Sequence, residues 1–345
     1  MKAIITLMLC CTIYCTASAT IHVVDNNINN TTVFALFQDA VDAAADFDTI
    51  YVQPSNIIYD DIIANKPLVI FGAGRRPNKQ NQSRSKVSEI YLITGSSGTS
   101  IHGMKITTMR SAENVNNITI SHSHMDYLEI IGDNFFVENC VISRSGGINY
   151  SIRVLTGANN TPRNNLVFQN NIIRGGIREM TGSGCVFRNN LFIPSNNYFF
   201  VFYETEPANS VIVENNIFYG TAPTSCFVCT FSNNITFSTT QDSLPYGNNS
   251  GENNIVWLQN NFVDADLPIG NFVNNIYVYD LEIIDGEPGS DAGLDGNDIG
   301  LFGGAIPFSY AGEPNIPVIR SFVLENASVP VDGNLQIQVI LSAPE

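Results

Sequence analysis

A chain of 345 residues that is 44% hydrophobic and 14% charged can bury a large core, which excludes wholesale disorder. A formal net charge of −16 excludes the basic footprint that nucleic acid demands and suits a soluble surface outside the cell. Asparagine, a turn former and poor helix former, is abundant and points to many turns.

The chain opens with Lys2, an apolar stretch over 4–14 and the small residues Ala17-Ser18-Ala19. Residues 1–19 read as a secretory signal, so the mature chain is expected to be secreted or held at the cell surface. The stretch is too short for a membrane span, and no later segment is long and apolar enough for one. Residues 20–74 read as an N-terminal cap and first coil. They begin with a strand over 21–24. The spacing of Phe34, Phe37, Val41 and Ala44 then predicts a helix over 34–45, capped by Thr31 or Thr32. Strands follow over 48–52 and 68–71, closed by Gly72-Ala73-Gly74. Arg75, Arg76, Lys79, Arg84 and Lys86 then predict an exposed basic loop over 75–86.

Residues 75–304 are dominated by one phrase: an apolar residue, a variable residue, Asn-Asn, and an apolar residue. It appears at Phe168–Ile172, Phe187–Leu191, Val213–Ile217 and Phe231–Ile235, and more weakly at 251–255 and 272–276, the latter around Asn274-Asn275. Degenerate copies stand at 115–118 and 137–141. The leading residues at 139, 170, 189, 215, 233 and 253 are 31, 19, 26, 18 and 20 apart. A constant phrase at variable spacing means a solenoid with one fixed edge and loops of variable length elsewhere. In a parallel β-helix, coils stack about 4.8 Å apart and alternate residues face the core. Asn tolerates the left-handed corner between strands, and inward Asn side chains in successive coils can form a ladder. Residues 285–304 are turn-rich and read as the end of the coil series. Residues 305–345 read as a C-terminal tail with a hairpin, from alternating runs at 317–324 and 335–341.

These stretches resemble the pectate-lyase-like right-handed parallel β-helix superfamily, in particular exported bacterial β-helix repeat proteins of unassigned activity. The resemblance rests on three of them: Phe37-Gln38-x-Ala40-Val41 with Asp48-Thr49-Ile50 and Gly72-x-Gly74; Ile101-His102-Gly103-Met104 with the Asn-Asn coils; and Gly296-Asn297-Asp298-Ile299-Gly300. It implies an all-β solenoid with a capping helix. Phe47 stands where glycine usually precedes the Asp-Thr-Ile. Enzymes of this superfamily cleave acidic polysaccharides, but one fold hosts many activities.

Hydrolysis needs converging carboxylates. The adjacent pair Asp60-Asp61 points to opposite faces of a strand, and Asp126, Glu129, Asp133, Glu138, Glu179, Glu204, Glu206 and Glu214 form no motif. The basic residues say more. Arg144, Arg153, Arg163, Arg174, Arg178 and Arg188 fall close together and make a candidate groove for an anionic glycan; surface ion pairing is the alternative. A lyase would draw its base or substrate clamp from Lys105, Arg144, Arg174 or Arg178. His122-Ser123-His124 would place two imidazoles on one strand face beside Lys105. Closely spaced Asp291, Asp295 and Asp298 make calcium a candidate cofactor, with capping turns as the alternative. Of the cysteines beyond the signal, Cys140, Cys185, Cys226 and Cys229, the Cys226-x-x-Cys229 pair lacks a partner pair for zinc, leaving buried thiols or one disulfide. Tyr198, Phe199, Phe200, Phe202, Tyr203 and Trp257 are candidates for stacking on sugars. The expectation is a monomeric exported β-helix that binds extracellular polysaccharide, with a polysaccharide lyase and a structural or adhesive spacer as alternatives.

Overall fold

The computed structural model describes residues 19–27, 33–75, 83–144, 149–157, 160–194, 201–203, 207–237, 239, 243–258, 280–314, 316, 318–324 and 337–342. The signal over 1–18, the Thr31/Thr32 cap, Arg76, Lys79, Tyr198 to Phe200, Glu204, Glu206, the Asn274-Asn275 phrase and the Trp257 side chain lie outside them.

The described chain is all-β, with one helix. Ten short strands, from Ile21–Val24 to Thr230–Ser232, form one parallel sheet in which spatial order follows chain order. Strands from Ile62–Ala64 to Ile255–Leu258 form the main path of a twelve-stranded parallel sheet, with Tyr150–Val154 and Gly176–Arg178 beside it. From Thr49–Val52 to Ile235–Phe237 each strand of the ten-stranded sheet is followed by one of the twelve-stranded sheet, so each pass of the chain adds to both. This arrangement is compatible with a parallel β-helix solenoid. A third strip pairs Ala208–Asn209 with Cys226–Phe227. No described helix is long and apolar enough to cross a membrane. The strands Val318–Leu324 and Ile337–Ser342 pair antiparallel as a separate ribbon.

The phrase explains the stack residue by residue. Its first apolar position, Val137, Phe168, Phe187, Val213 or Phe231, is fully buried between the sheets. The rings of Phe168 and Phe187 stack with centroids 4.8 Å apart, in register across coils. The first Asn takes the left-handed conformation: φ is 49° at Asn170, 54° at Asn189, 55° at Asn215 and 54° at Asn233. Gly103, His122 and Asn139 hold the same corner earlier, at 67°, 53° and 50°.

The second Asn points inward and builds the ladder. Asn171 Nδ2 donates to Asn190 Oδ1 at 3.0 Å, Asn190 to Asn216 at 2.9 Å, Asn216 to Asn234 at 3.1 Å and Asn234 to Asn254 at 2.9 Å. Each of these oxygens also accepts the preceding rung's backbone N–H. The second amide hydrogen goes to a backbone carbonyl, such as Phe168 O from Asn190 at 2.9 Å. The buried amides are thereby satisfied, which is the condition for keeping them in a core. Cys140 and Ser123 take the ladder position in earlier coils, where Cys140 N–H donates to Asn171 Oδ1 and Met104 N–H to Ser123 Oγ.

Three features differ from the sequence reading, and a fourth, Phe47, keeps the backbone of the glycine it replaces. The helix runs only over Phe37–Ala43, with Leu36 at its N-cap and no side-chain cap, because Phe34 pairs with the first strand instead. The copy at 115–118 belongs to a second left-handed corner, shared by Asn117, Asn134 and Asn165, whose exposed amides form their own chain. Phe47, in the place where glycine was expected, also has a positive φ of 64°. Residues 281–314 do not terminate the stack but run back along it. The first Asn of each phrase holds them: Asn233 Nδ2 donates to Ala292 O, Asn189 to Gly300 O, Asn170 to Leu301 O and Gly303 O, and Asn139 to Ile306 O. This strap ends against Arg75, whose side chain is buried under Phe308 and donates to Ser309 O.

The strap covers a second apolar core. The residue after each Asn-Asn pair faces outward, and Ile172, Leu191, Ile217 and Ile235 pack there against Leu281, Ile283, Ile299 and Leu301. Close approach requires glycine at two points. A Cβ on Gly300 would stand 2.3 Å from Ile217 Cδ1, and one on Gly303 would stand 1.9 Å from Asp298 O.

Candidate functional site

The twelve-stranded sheet carries an outer face of half-buried polar and aromatic side chains. In-register pairing places Tyr91, Arg110, Glu129, Arg153 and Arg178 in one file across successive coils. Parallel stacking keeps such files about 4.8 Å apart per coil, so like charges need intervening partners. Arg110 Nε lies 3.1 Å from Glu89 Oε1, and Arg153 Nη2 lies 3.1 Å from Glu179 Oε1. Glu129 sits 4.0 Å from each of these arginines and accepts from the Tyr127 hydroxyl at 2.9 Å. Burial, followed by the hydrogen bond to Glu129, pushes the Tyr127 phenol well above its ordinary pKa.

Next to this file the aromatic and guanidinium groups alternate. The Arg144 guanidinium lies 4.2 Å from the Tyr127 ring centre and 5.6 Å from that of Tyr150. The Arg178 guanidinium lies 4.7 Å from Tyr150 and 4.9 Å from Tyr203. The result is a run Tyr127–Arg144–Tyr150–Arg178–Tyr203 along the coil axis. A guanidinium lying by its face against a ring directs its N–H groups sideways in its own plane, the geometry that oxyanions use. Arg144 has no carboxylate partner among the described residues.

The six arginines that are close in sequence separate into distinct surroundings. Arg144, Arg153 and Arg178 share the face just described. Arg163 is buried, donates from Nε to Leu155 O at 3.1 Å and lies 3.5 Å from Glu113. Arg174 is also buried and donates from Nε to Pro194 O at 3.2 Å; burial lowers its pKa. Arg188 lies on the ten-stranded sheet, 3.4 Å from Glu214 Oε1.

No protein-family model matches this chain, and no curated protein matches it.

The Lys105 group is differently built from the sequence expectation. His122 and His124 do not share a strand face, because His122 occupies the left-handed corner and His124 begins the next strand, His124–Ile130. His122 contacts Ser121 Oγ at 3.0 Å, and His102 contacts the same oxygen at 2.7 Å. Burial holds both imidazoles neutral, His102 at a pKa of about 4 and His122 at about 3. Lys105 pairs with Asp126, and burial lowers its pKa against the pull of that carboxylate. His124 lies beneath this pair, with Nε2 3.7 Å from Asp126 Oδ1.

Among the candidate calcium residues, Asp298 Oδ1 accepts from Asp291 N–H at 2.9 Å, and Asp295 accepts from the Asn297 backbone and side chain. Among the described residues no three His, Cys, Asp or Glu side chains are grouped to hold a metal ion. Cys226 and Cys229 form a disulfide, while Cys140 and Cys185 are buried thiols. Asp60 and Asp61 are exposed.

Sequence reasoning missed Tyr127 and Tyr150 and found no role for Glu129 and Glu179. The signal was present in the strand parity: Tyr127 and Glu129 stand two apart in one strand and therefore face the same side. It became readable only when the coil register set Arg153 opposite Glu129.

Proposed function

We propose that this chain is an exported, monomeric, right-handed parallel β-helix of the pectate-lyase-like kind, and that its Arg–Tyr face binds an extended anionic polysaccharide. The observation that carries this reading is the alternation of Tyr127, Arg144, Tyr150, Arg178 and Tyr203 across successive coils. Aromatic faces suit the apolar faces of sugar rings, and guanidinium edges suit carboxylate or sulfate groups. The carboxylates there are engaged, Glu179 with Arg153 and Glu129 with Tyr127, which favours holding an anion over protonating a glycosidic oxygen. Right-handed coiling is the rule for parallel crossovers. The Cys226–Cys229 disulfide suits an oxidising compartment outside the cytosol.

The test is affinity electrophoresis through gels containing pectate, alginate or a sulfated glycan. The wild-type chain is expected to be retarded by at least one polymer, with retardation weakening as salt rises. The double variant Arg144→Ala/Arg178→Ala should migrate freely, and Tyr150→Leu should lose more binding than Tyr150→Phe, which keeps the ring. Equal migration of all variants in every polymer would sink the reading.

A second reading, a polysaccharide lyase, would draw its base from Lys105, which pairs with Asp126 and whose pKa burial lowers. Its mark is the growing absorbance of unsaturated sugar ends in the same polymers, abolished by Lys105→Met.

A further inference from the structure

A separate cavity opens on the opposite sheet, where the strap passes the Asn corner. Its volume is about 310 Å³. Arg188, Glu214 and Gln169 reach it from outward positions of the ten-stranded sheet, and Asp295 faces it from the strap. Leu294 and Ile306, both exposed aliphatic side chains, form its apolar lips.

The walls are fixed before any ligand arrives. Asn170 and Asn189 donate to strap carbonyls at Leu301, Gly303 and Gly300, and Asn215 Oδ1 accepts the Leu294 N–H at 3.0 Å. These bonds hold the strap at a set height above the sheet. Arg188 keeps unused capacity: among the described residues it makes one ion pair, with Nε 3.4 Å from Glu214 Oε1, and that nitrogen is buried without a hydrogen bond. The Asp295 carboxylate takes two bonds from Asn297, the backbone N–H groups of Asp295 and Gly304 are also directed at it, and it faces the cavity beside Leu294.

The chemistry narrows the occupant. One guanidinium against two carboxylates disfavours an anion, and no described group of three carboxylates or imidazoles can hold a metal ion. None of the lining residues is aromatic, so a flat heterocycle has nothing to stack on. A vicinal diol matches the set, because each hydroxyl donates to a carboxylate and accepts from a guanidinium or amide, while the ring's C–H face meets the aliphatic lips.

We propose that this cavity between strap and sheet is a binding site for a single neutral pyranose residue, independent of the Arg–Tyr face.

Saturation-transfer NMR and titration calorimetry with the methyl glycosides of glucose, galactose, mannose and xylose test it, with glucuronate and glucosamine as charged controls. At least one neutral glycoside should bind. Glu214→Gln and Asp295→Asn should each weaken it about tenfold, the loss of one charge-assisted hydrogen bond. Ala305→Trp, which fills the cavity from an exposed strap position, should abolish binding with the thermal transition unchanged. Tyr150→Leu should leave the affinity as it was. The proposal is overturned if no neutral glycoside binds, if a charged control binds in its place, or if binding survives Ala305→Trp. If Glu214→Gln or Asp295→Asn fails to fold, the Ala305→Trp result decides.

Discussion

The side-chain amide of Asn170 donates to the carbonyl of Leu301 at 2.8 Å, across 131 residues of sequence. The next residue, Asn171, turns the other way and joins the ladder inside the coil. Two adjacent asparagines thus serve two unrelated contacts, one holding coil to coil and the other holding the strap to the coils.

The inner ladder predicts a large cost for one lost rung. Asn190→Ala would leave the Asn171 amide, the Asn171 N–H and the Phe168 carbonyl without their partner. Each buried group left unpaired costs about 1–3 kcal/mol, so a loss of about 2–4 kcal/mol is expected after partial relaxation. Denaturant unfolding of the variant measures it; a change no larger than that of an Asn65→Ala control at an exposed position would refute the ladder's energetic role.

The outer asparagines predict a split between conformation and contact. Asn170→Gly keeps the left-handed corner and loses only the strap bonds, whereas Asn170→Ala loses both. Alanine should therefore be less stable than glycine by about 1 kcal/mol. In both variants, hydrogen exchange should speed up at the strap before it does in the Phe168 coil. Equal exchange in the two places would show that the strap does not depend on this corner.

Asp48 predicts an acid limb. Its carboxylate accepts from His22 Nε2, Thr20 N–H and Ala45 N–H at 2.9, 2.7 and 2.8 Å. The His22 hydrogen bond first, then those backbone bonds, hold its pKa at about 2 against an ordinary 3.8. A folded pKa below the unfolded one means a contribution fully present above about pH 4 and lost as pH falls toward 2. Asp48→Asn should be less stable near neutral pH and should show a shallower loss across that window. Thermal melts at stepped pH compare the two.

His122 predicts a second limb at higher pH. It is flanked by His102, Ser121 and Arg75, and burial, then those charges, hold its imidazole at a pKa of about 3. The unfolded chain takes up this proton near pH 6.5 and the folded chain does not, so stability falls as pH drops from about 6.5 toward 3. Asn fills this same corner in later coils and does not titrate. His122→Asn should match the wild type at pH 8 and exceed it in melting temperature at pH 5. A lower melting temperature at pH 5 would show that His122 makes a contact Asn cannot replace.

What was legible in the residues was local. A phrase such as Phe168-x-Asn170-Asn171-Ile172 states the inward ring, the left-handed turn and the inward amide within one strand and one corner. The strap was not legible, because Gly300 to Gly304 read only as turn residues. Their close approach to Ile217 and Asn189 depends on a partner more than eighty residues away. The same distance hid why Ile172 and Ile217 face outward yet are apolar. At the sites, residue types were readable but not their company: Arg144 and Arg188 differ by 44 positions and by which sheet they occupy. His122 and His124 failed the strand-parity rule because a left-handed residue resets the alternation.

A stack of coils is ordinarily a one-dimensional object, able to fray from either end with each rung released in turn. Residues 281–314 change that, touching the coil of Asn233 at one end and Arg75 at the other. Folding must wait for this late segment before the stack is fastened, a long-range closure that slows assembly. With it in place, opening a coil that the strap touches also breaks that coil's bonds to the strap, which couples repeats that would otherwise meet only their neighbours.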